Sequence, residues 1–531
     1  MGAPGRTARP GATAVLVIGG GLVGLSTSML LSWFGIANVL VERRPTTSRH
    51  PRARGVNVRT MEILRTVGLE EAVRSTSSAR ALAANHGILA AESLTGRQFG
   101  PVGGDVHRAD PRPEAWARLS PTSWTMCDQD ELEPLIADRA RALGATLLFG
   151  HELADLDADG TAHVLDVATG EEFRVATEYV VAADGAGSPT RRRLGIGTTG
   201  PGRLARFANI HFHADLADAL GDRRFVLCYL RQEGFAGALL PIDNARRWLL
   251  HVPLDEDWSA AEHRFDAVGA RELVRRGTGL PGLEVDVRGV LPWESAGRVA
   301  DRWRDGRLLL AGDAVHVMPP TGAFGSNTGI QDAHNLAWKL AAVLGAGADP
   351  QLLDTYEAER RPVAIATMEQ AVLRSADRGG RTGEASGALV ADAEVILGYR
   401  YSSAAVRGDA TGAGAVLGPV ATGEPGARAP HVPVPGGGSL LDRYGRSFVL
   451  VSADPTWTVA AEKLAADDEW LEAVVVTGEQ GRVFSERYGV TACGAVLVRP
   501  DGFVGWRSSG AAPDPETVVR DALATVIGRV R

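Results

Sequence analysis

The sequence predicts an α/β fold in which a dinucleotide-binding domain is interrupted by a β-rich insert and followed by a small C-terminal α/β domain. Three observations predict it. An apolar run, Ala14–Ile18, leads straight into Gly19-Gly20-Gly21-Leu22-Val23-Gly24. From about Phe207 to Val290 the apolar pattern changes from helical spacing to alternation. Helical spacing then returns, and beyond a glycine- and proline-rich stretch short strands and helices alternate.

The opening unit reads as βαβ. Gly19 permits a tight turn, Gly21 lets backbone amides approach a pyrophosphate, and Gly24 lets the helix pack closely on the sheet, with Leu22 and Val23 completing the loop. Glu42 follows Gly24 by 18 residues and closes the apolar strand Val39-Leu40-Val41, where it is placed to bond a ribose hydroxyl. An acidic residue there favours a free ribose over a 2′-phosphate. The same spacing recurs at Gly195-Ile196-Gly197-Thr198-Thr199-Gly200, but it follows three arginines and precedes Pro201, so it reads as a loop. No charge occurs between Gly11 and Val41, yet glycines break that run at its centre, which suits a covered parallel sheet rather than a membrane span. Residues 1–13 carry arginines without a following apolar core and cleavage site, and read as a disordered extension.

Composition bounds the function. The chain has 531 residues, 45% of them apolar, enough for two or three domains. Its 64 acidic against 56 basic residues give a net charge of −8, which argues against a nucleic-acid surface. Cys127, Cys228 and Cys493 lie far apart, without metal or redox spacing, and read as buried reduced thiols of a cytoplasmic protein. No metal motif is present.

Further along, Thr60–Val67 and Asp130–Leu143 have helical spacing, the latter ended by Gly144 and followed by the strand Ala145–Phe149. Phe225–Leu230 and Arg247–Val252 alternate as strands of the insert. Gly329–Leu344 and Leu353–Ala376 read as long helices whose charges, Lys339, Glu357, Glu359, Arg360 and Arg361, suit solvated faces. Strands at Phe448–Val451, Leu471–Val476 and Gly494–Val498, with helices at Val459–Ala465 and Pro515–Val526, give the tail a thioredoxin-like layout that lacks any Cys-x-x-Cys.

Two later strands end in motifs: Tyr179–Ala183 in Asp184-Gly185, and Arg307–Ala311 in Gly312-Asp313-Ala314. Together with the opening glycines, in this order, they resemble the fingerprints of the para-hydroxybenzoate hydroxylase class of FAD monooxygenases. Within that class, His50-Pro51-Arg52-Ala53-Arg54-Gly55, Arg59-Thr60-Met61-Glu62, Gln129–Pro134, Leu353–Arg360, Ser485–Gly489 and Arg499–Gly502 are similar to the aklavinone and tetracenomycin type of aromatic polyketide hydroxylase. The resemblance implies a Rossmann-like, glutathione-reductase-like FAD-binding domain made of 14–190 and 285–400, a substrate-binding sheet at 191–284, a linker at 401–438 and a thioredoxin-like domain at 439–531.

Carried over, the resemblance implies that Glu42 binds the adenosine ribose, with Arg43 and Arg52 near the adenosine and pyrophosphate. Gln129 reaches the ribityl or phosphate region, Asp184 supports the pyrophosphate turn, and Asp313 bonds the ribityl hydroxyls. A carboxylate closing an apolar strand, as Asp313 does, needs such donors. Pro320, Gly325, Ser326 and Asn327 lie where a long helix opens, and a helix N-terminus suits the negative charge of a reduced flavin ring. Ser326 or Asn327 is also expected to cap that helix.

The resemblance further implies NAD(P)H as a transient co-substrate, molecular oxygen, and a flavin C4a-hydroperoxide that hydroxylates an electron-rich ring in secondary-metabolite biosynthesis. Such chemistry needs a water-poor pocket, over which the insert would form a lid. Tyr229 and Arg378 are similar in position to residues lining the substrate pocket and are the candidates for proton transfer. His316 reads as a packed residue and His50 as part of a loop. A Baeyer–Villiger or ring-rearranging oxygenase, and a non-catalytic flavin protein that sequesters a polyketide, stay open as alternatives; a halogenase would show Trp-x-Trp-x-Ile-Pro, which does not occur. Monomer and homodimer are both compatible with the sequence.

Overall fold

The computed structural model describes residues 9–102, 116–157, 159–378, 389–408, 416–420 and 422–529. Its first sheet is parallel at its centre. Ala12–Ile18 lies between Asn38–Glu42 and Glu172–Ala182, with Thr146–Phe149 outside the former and Leu308–Leu310 outside the latter. Val15, Leu16 and Val17 are fully buried because helices cover both faces, which explains the unbroken apolar run. The uncharged helix Leu22–Trp33 is wedged against the helices Phe324–Gly345 and Gln129–Ala142, and nearly every residue of it is buried. Ala12 and Thr13 already belong to the first strand, so the extension expected at 1–13 ends earlier; residues 1–8 lie outside the described residues.

A second, eight-stranded sheet runs in the order His316–Val317, Asp286–Ala300, Thr198–His213, Arg247–Leu254, Phe235–Pro241, Leu227–Gln232, Ile88–Ala91, Gln98–Pro101. It draws strands from both sides of the stretch 191–284. The repeated glycine pattern at 195–200 is not all loop, since Thr198 opens the long strand. One face buries Ala208, Ile210, Phe212, Leu239 and Leu250 with Val274 of the helix Ala267–Thr278, and the larger of these side chains each contribute about 1.5–3 kcal/mol. The opposite face carries Tyr229 and Asn209. At the near edge, His316 and Val317 pair with Val299 and Arg298, which ties this sheet to the turn after Leu308–Leu310.

The C-terminal unit is a four-stranded sheet in the order Leu471–Val475, Phe448–Ser452, Ala495–Val498, Val504–Ser508, with helices Pro455–Ala465, Gly478–Tyr488 and Pro515–Ile527. Cys127 and Cys228 are buried free thiols, but Cys493 is exposed, contrary to expectation. Residues 409–415 and 421 of the stretch read as a linker lie outside the described residues; around them, Tyr401 stacks on Phe503 at 4.1 Å and buried Arg428 pairs with Glu62.

Of the charges expected on solvated helix faces, Lys339, Glu359 and Arg360 are buried instead, and Glu357 and Arg361 are half-buried. Lys339 Nζ lies 2.7 Å from Glu359, whose other oxygen lies 2.6 Å from Arg499, and Arg499 also holds Asp501 at 2.6 Å. Arg360 lies 2.8 Å from Asp332. Burying ions costs several kcal/mol each, which mutual pairing must offset. Burial alone would raise the Glu359 carboxyl, but Arg499 and Lys339 hold it far below the usual range. This network fastens the C-terminal unit to the helix Phe324–Gly345. No helix among the described residues is long and apolar enough to cross a membrane.

Candidate active site

Three chain segments build a cradle at the ends of the parallel strands. Gly19 has φ of +102°, and a β-carbon there would stand 2.4 Å from the carbonyl oxygen of Ala183. One on Gly24 would meet Gly19 O at 1.8 Å. At Gly21 the nearest atom is Glu133 Oε1 at 3.8 Å, so its outer side is clear. Gly21 begins the first helix without a side-chain cap and without an acid in the first turn. Leu25 is the first residue to bond back, to Gly21 O at 2.9 Å, which leaves the amides of Leu22, Val23 and Gly24 for an anionic ligand.

Glu42 is only 6% exposed and accepts from Gly20 N at 2.6 Å, Arg44 N at 2.9 Å and Arg44 Nε at 2.8 Å. Burial pushes its carboxyl up, but these donors outweigh it and hold the pKa below the usual value. The guanidinium at Glu42 is thus that of Arg44, whereas Arg43 is exposed. Gln129 donates to Glu133 at 2.6 Å and accepts from Ala53 N at 3.3 Å, while Glu133 also receives Ser48 N at 2.7 Å. Glu133, fully buried beside Gly21, had no assigned role; only the fold brings it there. Arg52 is exposed, and its charge acts on both Glu133 and Asp313.

The third motif and the long helix meet the first motif at Val23. A β-carbon on Gly312, at φ +62°, would lie 2.6 Å from Val23 Cγ2, and one on Gly329 would lie 2.5 Å from the same atom. Asp184 holds its own turn, accepting from Ser188 Oγ at 2.5 Å and Thr190 N at 2.9 Å. Asp313 sits in a short turn, Gly312–Ala314, and its residue is open to the cleft, not sealed in the strand end as expected. Surrounding protein still pushes its carboxyl up, although His316 and Arg52 pull it down. A small groove lined by Asp313, Arg191, Arg298 and His316 lies beside it. His316 Nε2 donates to Asp332 Oδ2 at 2.6 Å, and its ring packs on Trp303 at 5.8 Å. Asp332 also holds Gly312 N at 3.2 Å and Arg360 at 2.8 Å, so it braces the Asp313 turn.

The long helix begins at Phe324, five residues before the predicted Gly329. Its N-cap is Ala323 at φ +55°, with no side-chain cap, so Ser326 and Asn327 do not cap it. Instead they lie within the first turn, and Asn327 clamps the neighbouring segment by accepting from Asn57 N at 3.0 Å and donating to Gly55 O at 2.8 Å. The amides of Phe324, Gly325 and Ser326 are left without an intrahelical acceptor. Pro320 is exposed just ahead of them.

Facing this cradle is the polar and aromatic side of the second sheet. Register aligns Tyr229, Ala238, His251, Asn209 and Leu291 in one row across five strands, and Leu291 is 39% exposed. In the next row Phe207 stacks on Trp293 at 4.6 Å, with His251 edge-on to Trp293 at 5.7 Å. Arg378 is the last residue of the helix Asp354–Arg378, not beyond it, and its side chain lies outside the described residues. No cluster among the described residues could hold a metal ion.

Residues 12–371 match the FAD binding domain family, and residues 422–530 match the C-terminal domain of aromatic-ring hydroxylases. The chain is 38% identical to a tetracenomycin A2 monooxygenase-dioxygenase of Streptomyces glaucescens, over 97% of each chain. It is 41% identical to a 4-methyl-5-nitrocatechol 5-monooxygenase of a Burkholderia species, again over 97% of each. The solved ternary complex of aklavinone-11 hydroxylase with FAD and aklavinone superposes with a TM-score of 0.90 at 34% identity, covering 98% of this chain and 100% of the other. The glycine clearances and the two uncapped helix ends fit a dinucleotide carrying a pyrophosphate and an anionic ring. The chain belongs to the FAD-dependent aromatic-ring hydroxylases.

Proposed function

We propose that the protein hydroxylates a polycyclic aromatic polyketide, using FAD, NAD(P)H and molecular oxygen. The observation that carries this reading is the pairing of the uncapped helix ends at Val23 with a sheet face built from Phe207, Trp293, His251 and Tyr229. A flat aromatic wall of that width suits fused rings. Two relatives named for tetracenomycin and aklavinone chemistry support the substrate class.

Bound FAD supplies the acceptance of hydride from the nicotinamide and the activation of oxygen. The amides of Leu22, Val23 and Gly24 hold the pyrophosphate. Glu42 keeps lone pairs free for the adenosine ribose after its bonds to Gly20 and Arg44. Asp313 takes the ribityl hydroxyls, and the amides of Gly325 and Ser326 face the ring's negative edge. Arg52 adds positive charge near the phosphates, Gln129 steadies its loop through Ala53 N, and Asp184 does the same for the turn that Gly19 abuts. Tyr229 Oη accepts a hydrogen bond from a ring hydroxyl, which makes the ring more electron-rich, and the aromatic wall excludes water.

The test is direct: the FAD-loaded protein is given a hydroxylated tetracyclic polyketide, and NAD(P)H oxidation is followed with the mass of the product. Stimulated oxidation and a product carrying one added oxygen support the reading. Oxidation that is indifferent to the polyketide, with hydrogen peroxide as the product, contradicts it.

A further inference from the structure

On the face that carries Tyr229, a compact group of polar atoms is buried with no protein partner. It comprises Asn209 Oδ1, His251 Nε2, His211 Nε2, both ring nitrogens of His50, and Trp293 Nε1. The strand register sets Asn209 opposite His251, His211 lies two residues further along the same strand, and the His50 and His211 rings stand 5.7 Å apart. Asn209 is 5% exposed, so bulk water does not relieve it. Each such atom costs about 1–3 kcal/mol, a burden that packing does not explain. The reverse side of the same strands, by contrast, presents Ala208, Ile210, Phe212 and Leu250 to an apolar core.

The nearby charges are paired with one another, although Arg54 Nη1, Asp128 Oδ2 and Asp130 Oδ1 are also without a partner. Arg247 pairs with Asp130 at 3.0 Å and Arg54 with Asp128 at 2.8 Å. Burial holds His50 and His211 at about 4 and His251 at about 3, with neighbouring positive charge adding to it, so all three are neutral near pH 7. A neutral imidazole offers one donor and one acceptor. Two aromatic planes and several neutral hydrogen-bonding atoms therefore share one wall.

We propose that Asn209 and His251, with His50 and His211 beside them, determine specificity by hydrogen-bonding the hydroxyl and carbonyl oxygens of an aromatic polycycle that lies against Phe207 and Trp293. The inference rests on the proposed function and deepens it: the substrate is recognised by its oxygen substituents and not by ring area alone. Asn209 Oδ1 takes a ring hydroxyl proton in a hydrogen bond, and the imidazoles satisfy a carbonyl or a second hydroxyl. No proton is transferred to these histidines, because their imidazolium forms are disfavoured.

The experiment measures binding of a dihydroxyanthraquinone and of unsubstituted anthraquinone to the FAD-loaded protein, using the perturbation of the flavin spectrum, in wild type and in Asn209→Leu and His251→Phe. Wild type is expected to prefer the hydroxylated ligand by about tenfold or more. In each variant that preference should shrink several-fold, while FAD content and Tm hold, since an unpaired polar group has been replaced by an apolar one. Variants that keep the wild-type preference overturn the proposal, as does a wild type that binds both ligands alike. A wild type that binds neither ligand overturns it together with the substrate class on which it rests.

Discussion

Val23 and Gly312 touch so closely that a single added methyl would separate them: a β-carbon on Gly312 falls 2.6 Å from Val23 Cγ2. Val23 belongs to the first motif and Gly312 to the third, some 290 residues later in the chain. Their contact sets the Asp313 turn against the first helix. Gly312→Ala is strained twice, by this contact and by its φ of +62°, so it should shift the turn and weaken FAD binding by about tenfold or more. Equilibrium titration of the apoprotein with FAD checks this, and Gly35→Ala is unsuitable as a control because its φ is also positive. Gly282→Ala, with nothing within 4 Å, serves instead.

Glu42 is the second test of the cradle. Its carboxylate organises Gly20 N and Arg44, and a charge-assisted bond is worth about 1.5–3 kcal/mol. Glu42→Gln should raise the Kd for FAD by about tenfold or more. Arg43→Ala should leave it nearly unchanged, because Arg44 makes the contact.

Tyr229→Phe removes the hydroxyl and keeps the ring in its row beside Ala238 and His251. FAD content and Tm should match wild type. The rate of substrate hydroxylation should fall by up to about tenfold, the effect of one lost hydrogen bond. Single-turnover kinetics with the FAD-loaded protein would measure it.

The buried network at Glu359 predicts a stability effect far from the chemistry. Glu359→Ala leaves Lys339 and Arg499 without their shared anion, which should cost about 3–5 kcal/mol. Urea unfolding followed separately by flavin and tryptophan signals checks it, and the C-terminal unit should loosen first.

Stability should also fall in acid, in two stages. His50, His211, His251 and His334 have folded pKa values of about 3 to 4 against 6.5 when unfolded. Between these values the unfolded chain binds more protons, so stability decreases as pH drops from about 6.5 towards 4. Glu62, Glu359 and Asp332 are also held below their unfolded values, and their contribution is lost as pH falls below about 4.5. Melting temperatures across this range should decline throughout, and His251→Phe should flatten the upper stage.

The cradle was legible in the sequence because glycine spacing and a following acid are local signals. Gly19, Gly24 and Glu42 sit where that pattern requires. The start of the helix at Phe324 was not legible, since Gly322, Gly325 and Asn327 are weak helix formers and packing overrides them. The helix Ala267–Thr278 hid in a region of strand-like alternation, and the strand Ile88–Ala91 joins its sheet through partners more than 130 residues away. Lys339, Glu359 and Arg360 looked like solvated helix charges because their partners come from distant segments. Pairing of that kind is tertiary and leaves no local trace.

If one cradle and one aromatic wall act together on one substrate, oxygen transfer is coupled to NAD(P)H consumption. The decisive quantity is the ratio of hydroxylated polyketide formed to NAD(P)H consumed by the FAD-loaded protein. That ratio should be near unity for wild type and should fall, with hydrogen peroxide making up the difference, for Tyr229→Phe. NAD(P)H consumption that yields no hydroxylated product in wild type would contradict this coupling.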